Sequence, residues 1–365
     1  MIIPELPNYL SQLGGAEHKG LIIALFTLTA GISRPFSGKL TDKWGRVPVM
    51  AVGSIVCFLC GFLYPIISSV AGFFMLRLIH GFSTGFKPTS TSAYIADIIP
   101  HNRWGEALGM HGLCFSIGGA IGPAIGSYIA QGYGINSMFY SSSAFALLSI
   151  VIVLNMKETL KNKERFNLSM LKIRRNEILE LRVLPAGIVT LLSYTGYGVI
   201  LTLIPDWSEH LGIGNKGLFF TAYTLSSIAI RFVSGKIADR YGRIPVMIVG
   251  LFIIAVAVLL LGLGDSINGL ILGAIIYGIG TGILSPAVNA WTIDLSLPQH
   301  RGKAMATMYI ALEAGIGGGA LLAGYAYHDD ISRIPSIFMV NSIVILFAFF
   351  YILFWNYRNK QQNHE

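Results

Sequence analysis

Five side chains that are out of place in an apolar helix fall within one: Arg77, His80, Thr84, Lys87 and Thr91. Their spacing (i, i+3, i+7, i+10, i+14) predicts that all five share one helical face. Ionisable groups are costly in a membrane interior and there face a cavity or a partner. Two cations and a histidine on one wall suit an anionic or zwitterionic small molecule. The competing reading is structural: Glu5 neutralises Arg77, and Lys87 snorkels toward the cytoplasm. At a rise of about 1.5 Å per residue, Glu5 and Arg77 both lie about 10 Å inside the outer edge, so such a pair is geometrically feasible. Glu313 lies about 14 Å from the cytoplasmic edge of its own helix. A carboxyl at that depth either carries a proton or pairs with a cation. Tyr194, Tyr197, Tyr277, Asn289 and Trp291 suit polar and stacking contacts to a ligand, or helix interfaces equally well.

The elements that must position these groups are membrane spans. The chain is 53% hydrophobic and only 12% charged, with a mean hydropathy of +0.64. An ordinary globular domain carries about twice that share of charge. Apolar runs long enough to cross a bilayer, about 20 residues, follow one another along the chain. They predict an all-α polytopic membrane protein with spans at 20–37, 47–66, 70–98, 104–131, 134–155, 183–206, 217–234, 244–263, 267–295, 304–328 and 334–356, plus a fragment at 1–12. Most of the 26 Lys and Arg residues fall on one set of alternate loops and the C-terminal tail. Only Lys19, Lys216 and Arg333 fall on the other set, while Arg34, Arg77, Lys87 and Arg231 fall inside spans. The positive-inside rule therefore puts the basic loops in the cytoplasm. This distribution also argues against nucleic acid as the reason for the net charge of +8. The linker 156–182 is rich in Lys and Arg, and "LSMLKIRRNEIL" within it predicts a short amphipathic helix on the inner membrane surface. A simple tether between the halves is its favoured role, with a regulatory or lipid-binding role as the alternative. Cys57 and Cys60 have C-x-x-C spacing but no His or acidic neighbours. With Cys114 they read as small apolar residues, and no metal or cofactor is expected.

One charged stretch occurs twice. "GKLTDKWGRVPVM" (Gly38–Met50) returns as "GKIADRYGRIPVM" (Gly235–Met247), 197 residues later. At the same offset Arg34 matches Arg231, and Gly81, Thr84, Gly85, Ala93 and Asp97 match Gly278, Thr281, Gly282, Ala290 and Asp294. The chain is thus two related halves. The domain expectation is an N-terminal bundle over 1–155, the linker over 156–182, a C-terminal bundle over 183–358 and a cytoplasmic tail over 359–365. In each repeated loop Gly38 and Gly45, or Gly235 and Gly242, permit tight turns and close helix approach. Asp42, and Asp239 in the copy, can accept from a neighbouring helix N-terminus. Arg46 is expected to pair with Asp97, and Arg243 with Asp294. By the repeat register the first helix lacks about 15 residues at its cytoplasmic end, and a late-assigned start or a truncation is the expectation.

G-K-[LI]-[TA]-D-[KR]-[WY]-G-R between the second and third helices resembles the signature loop of the major facilitator superfamily. Its weaker copy in that family sits between the eighth and ninth helices. The resemblance covers essentially the whole chain. It implies two pseudo-symmetric six-helix bundles, here with a partial first helix, and a substrate cavity lined by the first, fourth, seventh and tenth helices. It also implies that the loop network latches the outward-facing state. A second pattern, Gly109, Gly118, Gly122-Pro123 and Gly126-Ser127, resembles the glycine-rich helix-five motif of the drug/proton antiporter branch, with Ser127 in place of a final glycine. A looser equivalent spans Gly315–Gly319. Arg77 in "RLIHG" resembles the helix-four arginine motif that the family links to proton coupling. "IIPELP" resembles the helix-one Pro-x-x-Pro segment. The resemblance implies a monomeric, proton-coupled exporter of a drug, metabolite or metallophore in the cell inner membrane, with Glu5, Arg77 or Glu313 handling protons. An uptake symporter is the nearest alternative, and a non-transporting receptor or assembly protein on the same scaffold is another. No ATP-binding loop, metal-ligand cluster or hydrolase triad is present in the sequence, which argues against an enzyme.

Overall fold

The computed structural model describes residues 1–2, 5–15, 21–174, 178–213, 218–327 and 330–362. Its helices are α1 (Leu6–Gln12), α2 (Leu21–Lys43), α3 (Arg46–Leu63), α4 (Val70–Thr84), α5 (Lys87–Ile98), α6 (Trp104–Tyr133) and α7 (Ile135–Leu154). After the linker come α8 (Leu184–His210), α9 (Leu218–Tyr241), α10 (Arg243–Leu263), α11 (Ile267–Asp294), α12 (Arg301–Tyr327) and α13 (Ile334–Gln362). No strand occurs among the described residues. Among them, seven helices are long and apolar enough to cross a membrane, or eight when the bent α9 counts as one span. The other spans read from the sequence fall on α2, on the broken pair α4–α5 and on α6.

That break has a chemical cause. The sequence predicts one helix over 70–98, but α4 stops at Thr84 and α5 starts at Lys87. Pro88 has no N–H for the Thr84 carbonyl, and its ring crowds that carbonyl. The neighbouring Gly85 carbonyl accepts from Ser37 Oγ at 2.8 Å and Arg34 Nη1 at 3.3 Å, both on α2. The second half has the same stitch, Ser234 Oγ to the Gly282 carbonyl at 2.9 Å. There Pro286 stays inside α11.

The helices group into two units. The first comprises Met1–Ile98, Ile117–Leu181 and Ser296–Ile310; the second comprises Ile99–Ser116, Arg182–Leu295 and Ala311–Glu365. In the first, α2 packs on α4 and α3 on α5 and α7; in the second, α9 packs on α11 and α10 on α11 and α13. The pairings repeat in step with the sequence. Matched serines start matched helices: Ser69 Oγ accepts from Gly72 N–H and Ser266 Oγ from Gly269 N–H, each at 3.2 Å. Each satisfies an otherwise orphaned donor of the first turn. Many large apolar side chains face outward, among them Phe115, Leu321 and Phe347. An apolar exterior of this extent fits lipid as the surrounding solvent.

The linker departs from its expectation. The predicted amphipathic helix is replaced by a single 3-10 turn at Leu168–Leu171, and residues 175–177 lie outside the described residues. The rest runs as an extended strap, and part of its polar and apolar groups is spent on the Gly38–Met50 loop. Glu158 Oε1 and Oε2 accept from the Arg46 and Val47 N–H groups at 3.0 Å each. The Glu164 N–H donates to the Lys43 carbonyl at 2.7 Å, and Met170 is buried with Leu40, Val49 and Phe86. These contacts replace the i, i+4 backbone bonds a helix would have made.

Candidate functional site

Three groups of residues bear on function: two charged clusters at the repeated loops, a polar cluster on α4, and a tyrosine cluster in the second unit.

The first loop forms a cluster here termed latch A, wholly within the first unit. Asp42, in the last turn of α2, accepts from the N–H groups of Gly302 (2.7 Å) and Lys303 (2.8 Å) in the first turn of α12. A carboxylate at a helix N-terminus is favoured both by the orphaned donors and by the dipole. Arg46, 1% exposed, holds Asp42 Oδ1 at 3.1 Å and Asp97 Oδ2 at 3.0 Å, and also donates to the Thr41 carbonyl. Asp97 receives two further donors, Arg301 Nη1 at 2.6 Å and Thr159 Oγ1 at 2.8 Å. Gly45 has φ +141°, a conformation L side chains rarely adopt. A Cβ on Gly38 would stand 2.8 Å from the Ala306 Cβ, so the α2–α12 approach requires glycine. Asp42 lies beyond the cytoplasmic end of the 20–37 span. Burial pushes its carboxyl up to about 6, against the opposing pull of Arg46, the two backbone N–H groups and His300.

The second loop forms latch B, wholly within the second unit. Asp239 accepts from the N–H groups of Gly105 (2.9 Å) and Glu106 (2.8 Å) in the first turn of α6. Arg243 pairs with Asp239 and, at 3.1 Å, with Asp294 Oδ2. It also donates to the His101 carbonyl at 3.3 Å, and His101 Nε2 lies 3.1 Å from Asp294 Oδ1. Gly242 has φ +92°, and a Cβ on Gly235 would stand 2.5 Å from the Gly105 carbonyl oxygen. All ten gate residues named from the sequence thus fall into these two clusters, five in each. Four partners escaped sequence reasoning: Glu158, Thr159, Arg301 and His101. Their reach is long-range, and only the basic "HNR" and "QHR" runs before α6 and α12 hinted at them.

The α4 residues do not share one face. Arg77 is 1% exposed; its Nε donates to the Ile22 carbonyl at 3.1 Å, its Nη1 lies 3.4 Å from the Tyr64 hydroxyl, and its guanidinium stacks 4.3 Å from the Phe26 ring centroid. His80 Nδ1 is 3.4 Å from the same Tyr64 hydroxyl. Lys87 points elsewhere, its Nζ donating to Ser149 Oγ on α7 at 2.5 Å. Thr84 and Thr91 spend their hydroxyls on the carbonyls of Gly81 and Lys87. The break at Gly85–Phe86 is the reason: it resets the helical phase, so spacing counted through it loses its meaning. The five-residue wall expected from the sequence is corrected to an Arg77–His80–Tyr64 cluster and a separate Lys87–Ser149 contact. Tyr64 was not anticipated. Glu5 precedes α1 and is half-buried.

In the second unit Ser193, Tyr194, Ile254, Tyr277, Thr281, Leu284 and Ser285 line a small cavity. Tyr223, missed in the sequence, bridges two expected residues, with ring centroids 6.1 Å from Tyr197 and 5.6 Å from Tyr277. Tyr197 and Asn289 are outside the cavity lining. Trp291 packs edge-on against Trp355 at 5.0 Å. Glu313 is half-buried on α12. Of the α6 glycines, Gly109 lies against Pro286, Gly122 and Gly126 lie against the backbone of Met1, and Gly118 faces open space. The Pro123 and Ser127 side chains lie outside the described residues. A Cβ on Gly315 or Gly319 would run into the Leu191 and Thr195 carbonyls of α8. No group of three or more His, Cys, Asp or Glu residues able to hold a metal occurs among the described residues.

Comparison with known proteins agrees with this architecture. The family model described as Major Facilitator Superfamily matches residues 1–182 and 186–365. The chain is 25% identical over 366 residues to the multi-drug resistance efflux pump PmrA of Streptococcus pneumoniae, covering 95% of this chain and 90% of that one. The crystal structure of the human organic anion transporter MFSD10 superposes with a TM-score of 0.82 at 19% identity, covering 96% of this chain and 94% of that one. The proton:xylose symporter XylE superposes at 0.81 with 15% identity, covering 96% and 91%.

Proposed function

Since the chain belongs to the major facilitator superfamily and is a multi-pass membrane transporter, we propose that it is a proton-coupled antiporter that exports a small organic molecule by alternating access. The observation that carries the reading is the pair of latches. Each half supplies one aspartate to a helix N-terminus and one arginine–aspartate pair, at matched positions. A device made twice from charge-assisted hydrogen bonds, each contributing about 1.5–3 kcal/mol, suits a gate that forms and breaks in a cycle. Relatives bearing the name of multi-drug resistance efflux pumps support export.

In this reading the halves 1–155 and 183–358 rock about the linker 156–182, with the tail 359–365 in the cytoplasm of a cell whose inner membrane holds the protein as a monomer. Arg77, His80 and Tyr64 are the substrate contacts assigned to the first half, and Tyr194, Tyr197, Tyr223, Tyr277 and Asn289 those assigned to the second. Glu313 or Glu5 exchanges the proton, with Arg77 setting the field around Glu5. Gly109, Gly118, Gly122, Pro123 and Gly126 form the pivot in α6. Lys87 leaves the substrate wall and becomes a structural group held by Ser149.

The test is exchange in proteoliposomes under an imposed pH gradient, using a fluorescent amphiphilic dye. Dye is expected to move against its gradient as protons move the other way, and Glu313→Gln to abolish the exchange. Dye moving together with protons would make the protein a symporter, and no movement with any dye or metabolite would favour a non-transporting role.

A further inference from the structure

The linker has two faces, and the latch uses only one of them. On the latch side, Glu158 caps the first turn of α3, Thr159 bonds to Asp97, Glu164 pairs with Lys43 at 3.3 Å, and Met170 is buried beneath the loop. The other side carries Lys157, Lys161, Lys163, Arg165 and Lys172, all exposed, and none has an acidic partner among the described residues. Between these cations stand the exposed apolar side chains of Leu168, 72% exposed, and Leu171, 41%, while Phe166 packs on the latch side against Trp44, ring centroids 5.0 Å apart. Between Lys157 and Lys172 the acids are Glu158 and Glu164, and both are engaged by the latch loop, so the outer face of that stretch is predominantly positive.

We infer that this outer face is a docking surface for the anionic headgroups of the cytoplasmic leaflet, and that it ties latch A, but not latch B, to the membrane surface. Charge complementarity chooses the partner, since anionic leaflets attract basic segments beside a span. Geometry supports the choice. The linker leaves the span Ile135–Leu154 and re-enters at Leu181, so both its ends are pinned at the bilayer. The exposed leucines decide between a membrane and a soluble acidic protein. Cations interleaved with aliphatic groups fit a surface that offers phosphate above and acyl chains below. Among the described residues latch B has no comparable strap: its extra partner, His101, comes from the short turn before α6. The inference rests on the membrane reading of the chain and not on the direction of transport.

The experiment is hydrogen exchange of the full-length protein in lipid nanodiscs made of phosphatidylcholine alone or of phosphatidylcholine mixed with phosphatidylglycerol. Amides of 161–172 are expected to exchange several-fold more slowly in the anionic discs. The Arg46 and Val47 amides, which Glu158 accepts from, are expected to follow them, while Arg243 and Ile244 stay unchanged. Added salt should erase the difference in the unmodified protein, because a surface charge contact is screened within about 8 Å at physiological ionic strength. Replacing Lys161, Lys163, Arg165 and Lys172 by Gln should weaken the lipid contact about five-fold per residue at low salt. Leu168→Ser should lower the protection while leaving its salt dependence intact. Equal exchange in the two discs would overturn the inference. So would lipid-dependent protection that survives the four glutamines, or equal protection by soluble polyglutamate in neutral discs.

Discussion

Latch A and latch B share one skeleton and differ in everything attached to it. In both, an aspartate accepts from the second and third N–H groups of a helix, and an arginine four residues later clamps it to a second aspartate. In latch A that second acid, Asp97, also binds the permanent cation Arg301 and the linker hydroxyl of Thr159. In latch B its counterpart Asp294 has a histidine, His101. The arginines one helical turn before each loop diverge the same way. Arg34 bonds to Gly85 and Thr89 and stacks 4.5 Å from the Tyr309 ring centroid. Arg231 donates to the Gly112 carbonyl at 2.5 Å and to Ser116 Oγ at 3.0 Å. Tyr309 and Gly112 occupy matched positions of the repeat. The lesson is that duplication preserves the aspartate at the helix N-terminus and the arginine–aspartate clamp, while the partners gathered around them drift.

The comparison can be broken most forcefully at the central arginines. Arg46→Ala leaves Asp42 and Asp97 buried without their shared cation, and is expected to cost about 3–5 kcal/mol in reversible unfolding in mixed micelles. Arg243→Ala should cost less, because Asp294 is 21% exposed against 14% for Asp97. Equal costs would mean that the two latches are energetically the same.

Next in size is Arg301→Gln, which removes a charge-assisted bond from latch A only. About 1.5–3 kcal/mol of stability is expected to go with it, and the exchange of the Gly302 and Lys303 amides should quicken while Gly105 and Glu106 hold their rates.

A third effect is set by proton linkage. The Asp42 carboxyl titrates at about 6 in the closed latch, against an ordinary value of 3.8. Opening returns it to water, so closure takes up a proton in the interval between those values. Latch A should therefore close more tightly as pH falls from 7 to 5, by about tenfold. The check is protection of the Gly302 and Lys303 amides after correction for intrinsic exchange; protection that falls with pH would reverse the assigned sign.

The smallest effect is Gly112→Ala. The added methyl would stand 2.8 Å from Arg231 Nη1, at the mobile end of a long side chain. Displacing that bond is expected to cost about 1 kcal/mol, measured by the same unfolding experiment.

Much of this was legible in the sequence because it is local or periodic. The loop residues Asp42, Arg46 and Gly45 lie within one turn of each other, and their partners Asp97 and Asp294 end the same helix in each half. The α4 wall was misread because helical phase was counted through Pro88, and a proline within a span warned of a break there. The linker was misread for the opposite reason. Its alternation of apolar and basic residues is real, but only Met170 is buried, against Leu40 and Val49, while Leu168 and Leu171 stay exposed. Tyr64 and Tyr223 were invisible as site residues, since only the packing of α3 on α4, and of α9 on α11, brings them to Arg77 and Tyr277.

The central claim is that both latches are working parts of one transport cycle. The most direct measurement is dye exchange under a pH gradient in proteoliposomes of the unmodified protein, Asp42→Asn and Asp239→Asn. In each variant the amide nitrogen opposes two backbone donors, and each is expected to lose at least about tenfold in rate, the effect of about 1.4 kcal/mol, while remaining folded by thermal unfolding. A folded Asp42→Asn or Asp239→Asn protein that exchanges dye at the unmodified rate would contradict the account.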